Sequence, residues 1–143
     1  MMKNSKEILS SILKTAQMGQ IGIRSVQNKA VRAEMKDALA SQEREYDAIE
    51  AQAHQIAGER GWELRELDPG VRRMAEMMTR ARLQGRNTDS KIAAMMVNGN
   101  TRGVIKGLKN IHRYHGRDPR ICQLAQQLLD QENANIRQME DFI

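Results

Sequence analysis

The sequence contains few of the residues on which other fold classes depend. It has one cysteine, Cys122, so no disulfide can form within the chain, which indicates a reducing compartment or indifference to redox state, and we predict a cytoplasmic protein. Aromatic residues make up only 3% of the chain, which is too few for a β-sandwich or a β-barrel. No secretory signal is visible, and no apolar run approaches the roughly 20 residues that a membrane-spanning helix needs.

The motifs of common catalytic sites are also missing. The chain has no P-loop, no dinucleotide-binding fingerprint and no Ser/His/Asp or Cys/His arrangement. His112 and His115 are three residues apart, but a metal site needs three or four ligands in one place. The sequence therefore gives no positive indication of an enzyme, and no cofactor is expected.

Helix-forming residues, by contrast, are abundant. Ala, Gln, Glu, Met, Leu, Lys and Arg dominate, and the two prolines, Pro69 and Pro119, each follow an aspartate, as at the start of a helix. Apolar residues recur at steps of three and four, which predicts four long helices. These helices are predicted from about Ser5 to Lys29, from about Ala30 or Val31 to Arg60, from a cap among Thr88, Asp89 and Ser90 to about His115, and from Pro119 to the C-terminus.

The lengths of the connections predict how the helices are arranged. Almost nothing joins the first helix to the second or the third to the fourth, and short connections make antiparallel neighbours. Residues 61–87 form a longer crossover with a short amphipathic helix that begins at Asp68 and Pro69. We therefore predict that residues 1–143 form a single domain. Its fold is predicted to be an all-α antiparallel four-helix bundle with a long crossover containing a short helix between helices two and three.

Polar residues interrupt the apolar seams of the second, third and fourth helices near their middles. The residues predicted to form a buried polar layer are Gln42, Tyr46, Asn100 and Asn135. Two carboxylates, Glu43 in the second helix and Glu132 in the fourth, accompany them. A buried carboxylate is costly unless it is paired, hydrogen-bonded or bound to a metal. We therefore predict that Glu43 and Glu132 point at each other in the interior of the bundle.

Two four-residue motifs place a glutamate three residues before another polar side chain. They are Glu43-Arg44-Glu45-Tyr46 in the second helix and Glu132-Asn133-Ala134-Asn135 in the fourth. With the helix order and the crossover, these motifs resemble the ferritin-like superfamily, and most of all rubrerythrin-like proteins. The resemblance implies a Glu-x-x-His motif on each of these helices, holding two iron or manganese ions. Tyr46 and Asn135 stand where the resemblance implies histidines.

Because both histidines are absent, an intact metal centre and a degenerate one must be weighed against each other. Amides are weak ligands for iron, and two carboxylates do not neutralise two divalent ions. We therefore predict a ferritin-like bundle protein with a degenerate metal centre and a non-catalytic binding or structural role. The alternative is a metal-binding, rubrerythrin-like protein in which Glu43 and Glu132 hold iron or manganese.

Three glycines recur every four residues in the third helix, at Gly99, Gly103 and Gly107. Each costs a helix interior about 1 kcal/mol relative to alanine, so a compensating gain is expected. The gain predicted here is the close approach of another helix, and Gly19 and Gly22 of the first helix are possible counterparts. The alternative is that the missing side chains leave room for a ligand beside the polar layer.

A positive stripe on the third helix suggests a different partner. Its predicted anion-binding residues are Arg102, Lys106, Lys109 and Arg113, spaced by four, three and four. This stripe and the formal net charge of +5 are typical of proteins that bind nucleic acid or another polyanion. The other interpretation is a solvated helix face. On the crossover helix, methionines lie between arginines, and we predict that this helix contacts a second copy of the chain in a homodimer.

Overall fold

The chain is all-α, and the computed structural model describes residues 2–143. Its helices are α1, Ser5–Val26; α2, Ala33–Arg60; α3, Pro69–Arg82; α4, Thr88–Arg113; and α5, Pro119–Glu140. The prediction of an all-helical chain is therefore confirmed, including a short helix between the second and third long ones. Within residues 2–143, no helix combines the length and the apolarity required to cross a membrane.

Side chains cap the N-terminal ends of α1, α3 and α5. Asp68 caps α3 by accepting a hydrogen bond from the backbone N–H of Gly70, and Asp118 caps α5 in the same way. Both aspartates precede a proline in the first turn, as the sequence predicts. The cap of α1 is Asn4, whose side chain exchanges hydrogen bonds with Glu7 in a capping box.

The predicted boundaries of three helices need correction. The first helix ends at Val26, because Gln27–Lys29 form a 3₁₀ turn, and α2 begins only at Ala33. The backbone N–H groups of Val31 and Arg32 instead donate to the carboxylate of Asp89, at 2.8 and 2.9 Å. Asp89 thus ties the turn between α1 and α2 to the first turn of α4. The third long helix ends at Arg113, where the chain becomes extended and the backbone of Lys3 bonds to it.

The long helices pack around one apolar core. Extensive contacts join α1 to α2 and α4 to α5, and further contacts join α1 to α4 and α2 to α5. The helix α3 packs mainly against α1. The largest fully buried apolar side chains of the core are Ile8, Leu9, Ile12, Leu13, Ile23, Met35, Leu39, Ile49, Ile92, Ile121 and Leu124. Burying such side chains is the main source of stability in a helical protein of this size.

Two glycines of α1 differ sharply in their surroundings. A Cβ at Gly19 would overlap the aromatic ring of Tyr46, which packs on the bare backbone at this point. A Cβ at Gly22, one turn further along α1, would meet nothing within 4 Å. Gly19 therefore allows α1 and α2 to enclose an aromatic ring, whereas Gly22 borders open space.

This difference predicts opposite effects of the same substitution. Gly19→Ala should lower the free energy of unfolding by about 1–3 kcal/mol, because the rigid Tyr46 ring must shift to admit the methyl group. Gly22→Ala should raise it by up to about 1 kcal/mol, because alanine is the better helix former. Urea unfolding of both variants and the wild type measures the effects. Equal effects from the two substitutions would contradict the packing of Tyr46 on Gly19.

Candidate functional site

A cavity of about 370 Å³ lies between α1, α3 and α4. This volume falls within the range of sites that bind small molecules. Its walls are largely apolar and include four methionines, Met18, Met78, Met95 and Met96, which are unbranched and adapt to the shape of a ligand. Both Met18 and Met78 are exposed, so the cavity is open to the surface.

The inner end of the cavity is polar and buried. It is formed by Tyr46 of α2, Asn100 of α4 and Glu132 of α5, each at most 3% exposed. The hydroxyl of Tyr46 donates a hydrogen bond to Oδ1 of Asn100 at 2.8 Å. The same hydroxyl interacts with the carboxyl of Glu132. One phenol thus links the polar side chains of three helices.

Two polar atoms at this end have no hydrogen-bond partner among the described residues. They are Oε2 of Glu132 and Nδ2 of Asn100. Leaving a buried donor or acceptor unpaired costs about 1–3 kcal/mol. Both side chains line the cavity, and their two unpaired atoms are buried beside it. The unpaired groups of the inner end are therefore one amide donor and one carboxyl oxygen.

Burial controls the charge of Glu132. It raises the pKa of this carboxyl to about 8, although the interaction with the Tyr46 hydroxyl lowers the pKa in part. At neutral pH the carboxyl is therefore mostly protonated and uncharged. Burial also raises the pKa of Tyr46 well above its ordinary value, and the neighbouring Glu132 raises it further. The inner end of the cavity is accordingly a neutral hydrogen-bonding surface.

The glycines of α4 shape the cavity. A Cβ at Gly103 would lie 2.7 Å from Oε1 of Glu132, so the carboxyl occupies the space that a side chain would fill. A Cβ at Gly99 would meet nothing within 4 Å, and this glycine lines the cavity together with Gly22 of α1. At Gly107 a Cβ would make an ordinary contact with Leu129. The glycine repeat of α4 therefore borders open space at Gly99 and packs against side chains of α5 at Gly103 and Gly107.

The residues of the predicted polar layer are all buried, but they form two groups. Tyr46 and Asn100 line the inner end of the cavity, and Asn135 is buried next to Tyr46 without lining the cavity. Gln42 lies apart from them and donates to Oε1 of Gln138 of α5 at 2.8 Å. Gln138 is exposed, so Gln42 connects the core to the surface.

Glu43 does not join this group, and the predicted facing of Glu43 and Glu132 needs correction. Its carboxylate forms an ion pair with Arg24 of α1, with 2.8 Å between Nε and Oε2. Arg24 is exposed and Glu43 is partly exposed, so this ion pair lies at the outer edge of the α1–α2 contact. On the sequence, Glu43 is only one residue from the buried Gln42, but one residue turns a helix by about 100°.

The donor set at Glu132 does not fit the metal centre that the resemblance implies. Glu132 is the one carboxyl at the inner end, and its neighbours are a phenol and two amides. Among residues 2–143, no three His, Cys, Asp or Glu side chains are grouped so that they could hold a metal ion. With Glu43 held by Arg24, iron or manganese would have a single carboxyl ligand here.

The predicted anion-binding residues are exposed along α4. Arg102, Lys106, Lys109 and Arg113 all lie on its surface, and no salt bridge within residues 2–143 involves them. Arg102 and Lys106 also line the cavity, whereas Lys109 and Arg113 do not. The stripe therefore has two parts, one beside the cavity and one beyond it.

Comparison with known proteins identifies the fold but no family. No family model and no curated protein matches the chain. The crystal structure of a DUF305 fragment from Deinococcus radiodurans does match, with a TM-score of 0.75, over 96% of this chain and 93% of that chain. The sequence identity is 15%, so the likeness concerns the fold alone.

The predicted membership of the ferritin-like superfamily, and of its rubrerythrin-like proteins, is therefore wrong. The structure that the chain resembles is the DUF305 fragment, and no match supports the ferritin-like assignment. The physical reason is visible in the motif that carried the resemblance. Its first glutamate, Glu43, turns outward to Arg24, and its fourth residue, Tyr46, closes the inner end of a cavity.

Sequence reasoning missed the cavity and its open end. The glycine repeat of α4 was the available signal for a cavity. Helix packing was the predicted reason for the repeat, and room for a ligand was the alternative. What could not be predicted was the position of α3, which supplies Ala75, Met78 and Thr79 to the outer wall. Two buried polar residues outside the layer, Asn110 and Ser11, were also missed, and they bond to each other at 2.8 Å.

The raised pKa of Glu132 predicts how stability depends on pH. Between the ordinary value of 4.5 and about 8, the folded protein keeps a proton that the unfolded chain loses. The free energy of unfolding therefore falls by about 1.4 kcal/mol per pH unit in this window, and the effect is complete above pH 8. Glu132→Gln removes this dependence. The free energy of unfolding of this variant, relative to that of the wild type, should therefore rise by about 2–4 kcal/mol from pH 5 to pH 8.

Urea unfolding at several pH values measures this difference, and Glu43→Gln is the matched control. Glu43 pairs with Arg24 near the surface, where an ion pair contributes about 0.2–1 kcal/mol. The stability of this control relative to the wild type should be nearly constant between pH 5 and pH 8. A pH dependence of Glu132→Gln that parallels the wild type would show that the carboxyl is ionised in the folded protein.

Proposed function

We propose that this chain is a non-catalytic binding protein that holds a small, largely apolar organic molecule in the cavity between α1, α3 and α4. Its inner end, formed by Tyr46, Asn100 and Glu132, would bind the polar atoms of that molecule. The observation that carries the proposal is the pair of buried, unpartnered atoms there, Oε2 of Glu132 and Nδ2 of Asn100. Few precisely placed polar groups in an otherwise apolar cavity are characteristic of ligand sites.

The composition of the cavity supports binding rather than catalysis. No cysteine or histidine is among the residues that line it. Of its hydroxyls, Ser25 and Thr79 lie 3.2 Å apart and bond to each other, and no base accompanies them. Nucleophilic catalysis requires a base within hydrogen-bond reach of the nucleophile. A protonated Glu132 supplies a hydrogen bond instead.

The arrangement that we propose for the long helices is the predicted antiparallel four-helix bundle. Side-chain pairs between α1 and α2 support it, because residues later in α1 pair with residues earlier in α2, as in antiparallel helices. The pairs are Gln17 with Glu50, Gln20 with Asp47, and Arg24 with Glu43. In such a bundle, the polar inner end would lie at mid-height, where side chains of facing helices commonly build sites.

Binding of a neutral fluorescent probe tests the proposed function. N-phenyl-1-naphthylamine is apolar apart from one N–H group, and its fluorescence rises when it leaves water. It should bind the wild type at one site. Gly99→Leu should weaken this binding by at least about tenfold, because the new side chain occupies the cavity, and a loss of 1.4 kcal/mol already has that effect. Fluorescence titration measures both affinities.

Gly58→Leu is the matched control for this experiment. Gly58 is an exposed helical glycine of α2, a Cβ there would meet nothing within 4 Å, and it does not line the cavity. Both substitutions put leucine in place of a helical glycine, so both should keep the fold. Failure of the probe to bind the wild type, or equal affinity for Gly99→Leu and Gly58→Leu, would rule out the cavity as its site.

A second candidate function is polyanion binding along α4. The exposed, unpaired stripe of Arg102, Lys106, Lys109 and Arg113 favours it. Titration of labelled double-stranded DNA at several salt concentrations tests it. If the stripe binds phosphates, the double variant Lys109→Gln/Arg113→Gln should reduce the slope of log K against log salt by about 1.8, or about 0.9 per contact. Absence of DNA binding at low ionic strength would remove this candidate.

Homodimer formation through α3 stays a prediction. Its residues Met74 and Met77 are 66% and 70% exposed, which is unusual for apolar side chains, whereas Met78 lies at the cavity. An exposed apolar face of this kind is compatible with a second copy of the chain.

A further inference from the structure

Basic side chains from three helices surround the open end of the cavity. Lys14 of α1, Arg82 of α3, and Arg102 and Lys106 of α4 all line it. Arg82, Arg102 and Lys106 are exposed, and Lys14 is partly exposed. Among the described residues, the only carboxyl in the lining is that of Glu132, which lies at the buried inner end. The open end therefore carries four cationic groups without an acidic residue among them.

These four cations have no carboxylate partner within residues 2–143. No salt bridge in the part of the chain that the structure describes involves Lys14, Arg82, Arg102 or Lys106. On the other side of α1, by contrast, Arg24 contacts both Glu43 and Asp47. Partial burial lowers the pKa of Lys106, and repulsion by Lys14 and Lys3 lowers it further. An anion at the open end would relieve this repulsion.

The buried inner end of the cavity and its exposed rim differ in polarity. The inner end has neutral hydrogen-bonding groups, with Asn100 and Glu132 at most 3% exposed. Apolar side chains, such as Val26, Met95 and Met96, line the cavity as well. The cations are its most exposed charged groups. A molecule complementary to this lining presents a polar atom to the inner end, and it has an apolar body and one anionic group that stays near the solvent.

We infer that the ligand is an anionic amphiphile, whose apolar body occupies the cavity and whose carboxylate, sulfate or phosphate lies between Lys14, Arg102 and Lys106 at the open end. The inference rests on the proposed function and adds the chemical class of the ligand. Long basic side chains can reach such a group from several directions and donate charge-assisted hydrogen bonds to it. A cationic amphiphile would add to the repulsion among the four basic groups.

Three competitors with the same alkyl chain test the inference. Decanoate, 1-decanol and decyltrimethylammonium should each displace N-phenyl-1-naphthylamine at pH 7, but to different extents. Decanoate should be effective at a concentration about tenfold lower than decyltrimethylammonium, which corresponds to about 1.4 kcal/mol. Equal competition by decanoate and decyltrimethylammonium would overturn the inference. It would leave the proposed function intact, because the neutral probe still binds, whereas failure of the probe to bind would overturn both.

Two double variants with the same net charge locate the anionic group. Arg102→Gln/Lys106→Gln removes two cations that line the cavity, and Lys109→Gln/Arg113→Gln removes two that lie beyond it on the same stripe. The first variant should weaken decanoate binding by about tenfold and leave 1-decanol binding unchanged, because only decanoate carries a charge. The second should change neither. Equal weakening of decanoate by both variants would show a general charge effect and overturn the inference.

Vesicles distinguish a free anion from a lipid in a membrane. Phosphatidylglycerol vesicles present an anionic group on an apolar chain, and phosphatidylcholine vesicles serve as the uncharged control. Sedimentation with phosphatidylglycerol alone, abolished by Gly99→Leu, would assign the anionic chain to a lipid. Decanoate binding without sedimentation would assign it to a free amphiphile. Both results support an anionic group at the open end of the cavity.

Discussion

The structure depends on a carboxyl group that is buried and uncharged. Glu132 lies between Tyr46 and the bare backbone at Gly103, where a side chain on α4 would collide with it. Desolvation of a carboxylate here costs more than proton uptake at neutral pH, so the acid form persists. Because the acid form is neutral, the interior needs neither a metal ion nor a basic side chain beside Glu132. Protonation also makes the Glu132 carboxyl a hydrogen-bond donor, whereas a carboxylate only accepts hydrogen bonds.

The same carboxyl connects helix packing to the cavity. Gly19 and Gly103 admit the two large polar side chains of the layer, Tyr46 and Glu132, and the layer thereby joins all four long helices. Beside them, Gly22 and Gly99 meet nothing and leave the cavity open. Unpartnered polar atoms and unfilled space both lower stability, and proteins retain such features chiefly at functional sites. The features that weaken this interior are the ones that a ligand would use.

Much of the fold could be predicted from the sequence, because it depends on local chemistry. The Asp-Pro pairs at Asp68 and Asp118 mark helix starts, and helical periodicity placed Tyr46 and Asn135 in the interior. The helix ends near Asp89 were missed because its carboxylate binds backbone groups 57 and 58 residues away. The outward turn of Glu43 was missed for the same reason, since its partner Arg24 comes from another helix. The cavity depends on the spacing of three helices, which no local pattern encodes.

The two ends of the cavity differ in how firmly they are built, and this difference decides what each can recognise. At the inner end, Tyr46 is fixed by packing on Gly19 and by its bond to Asn100, so the donors and acceptors there have set positions. At the open end, the lysine and arginine side chains are long, and they attract carboxylate, sulfate and phosphate groups alike. Selectivity among anionic ligands must therefore come from the inner end. A ligand is distinguished by the length of its apolar body and by the polar atom that it presents to Asn100 and Glu132.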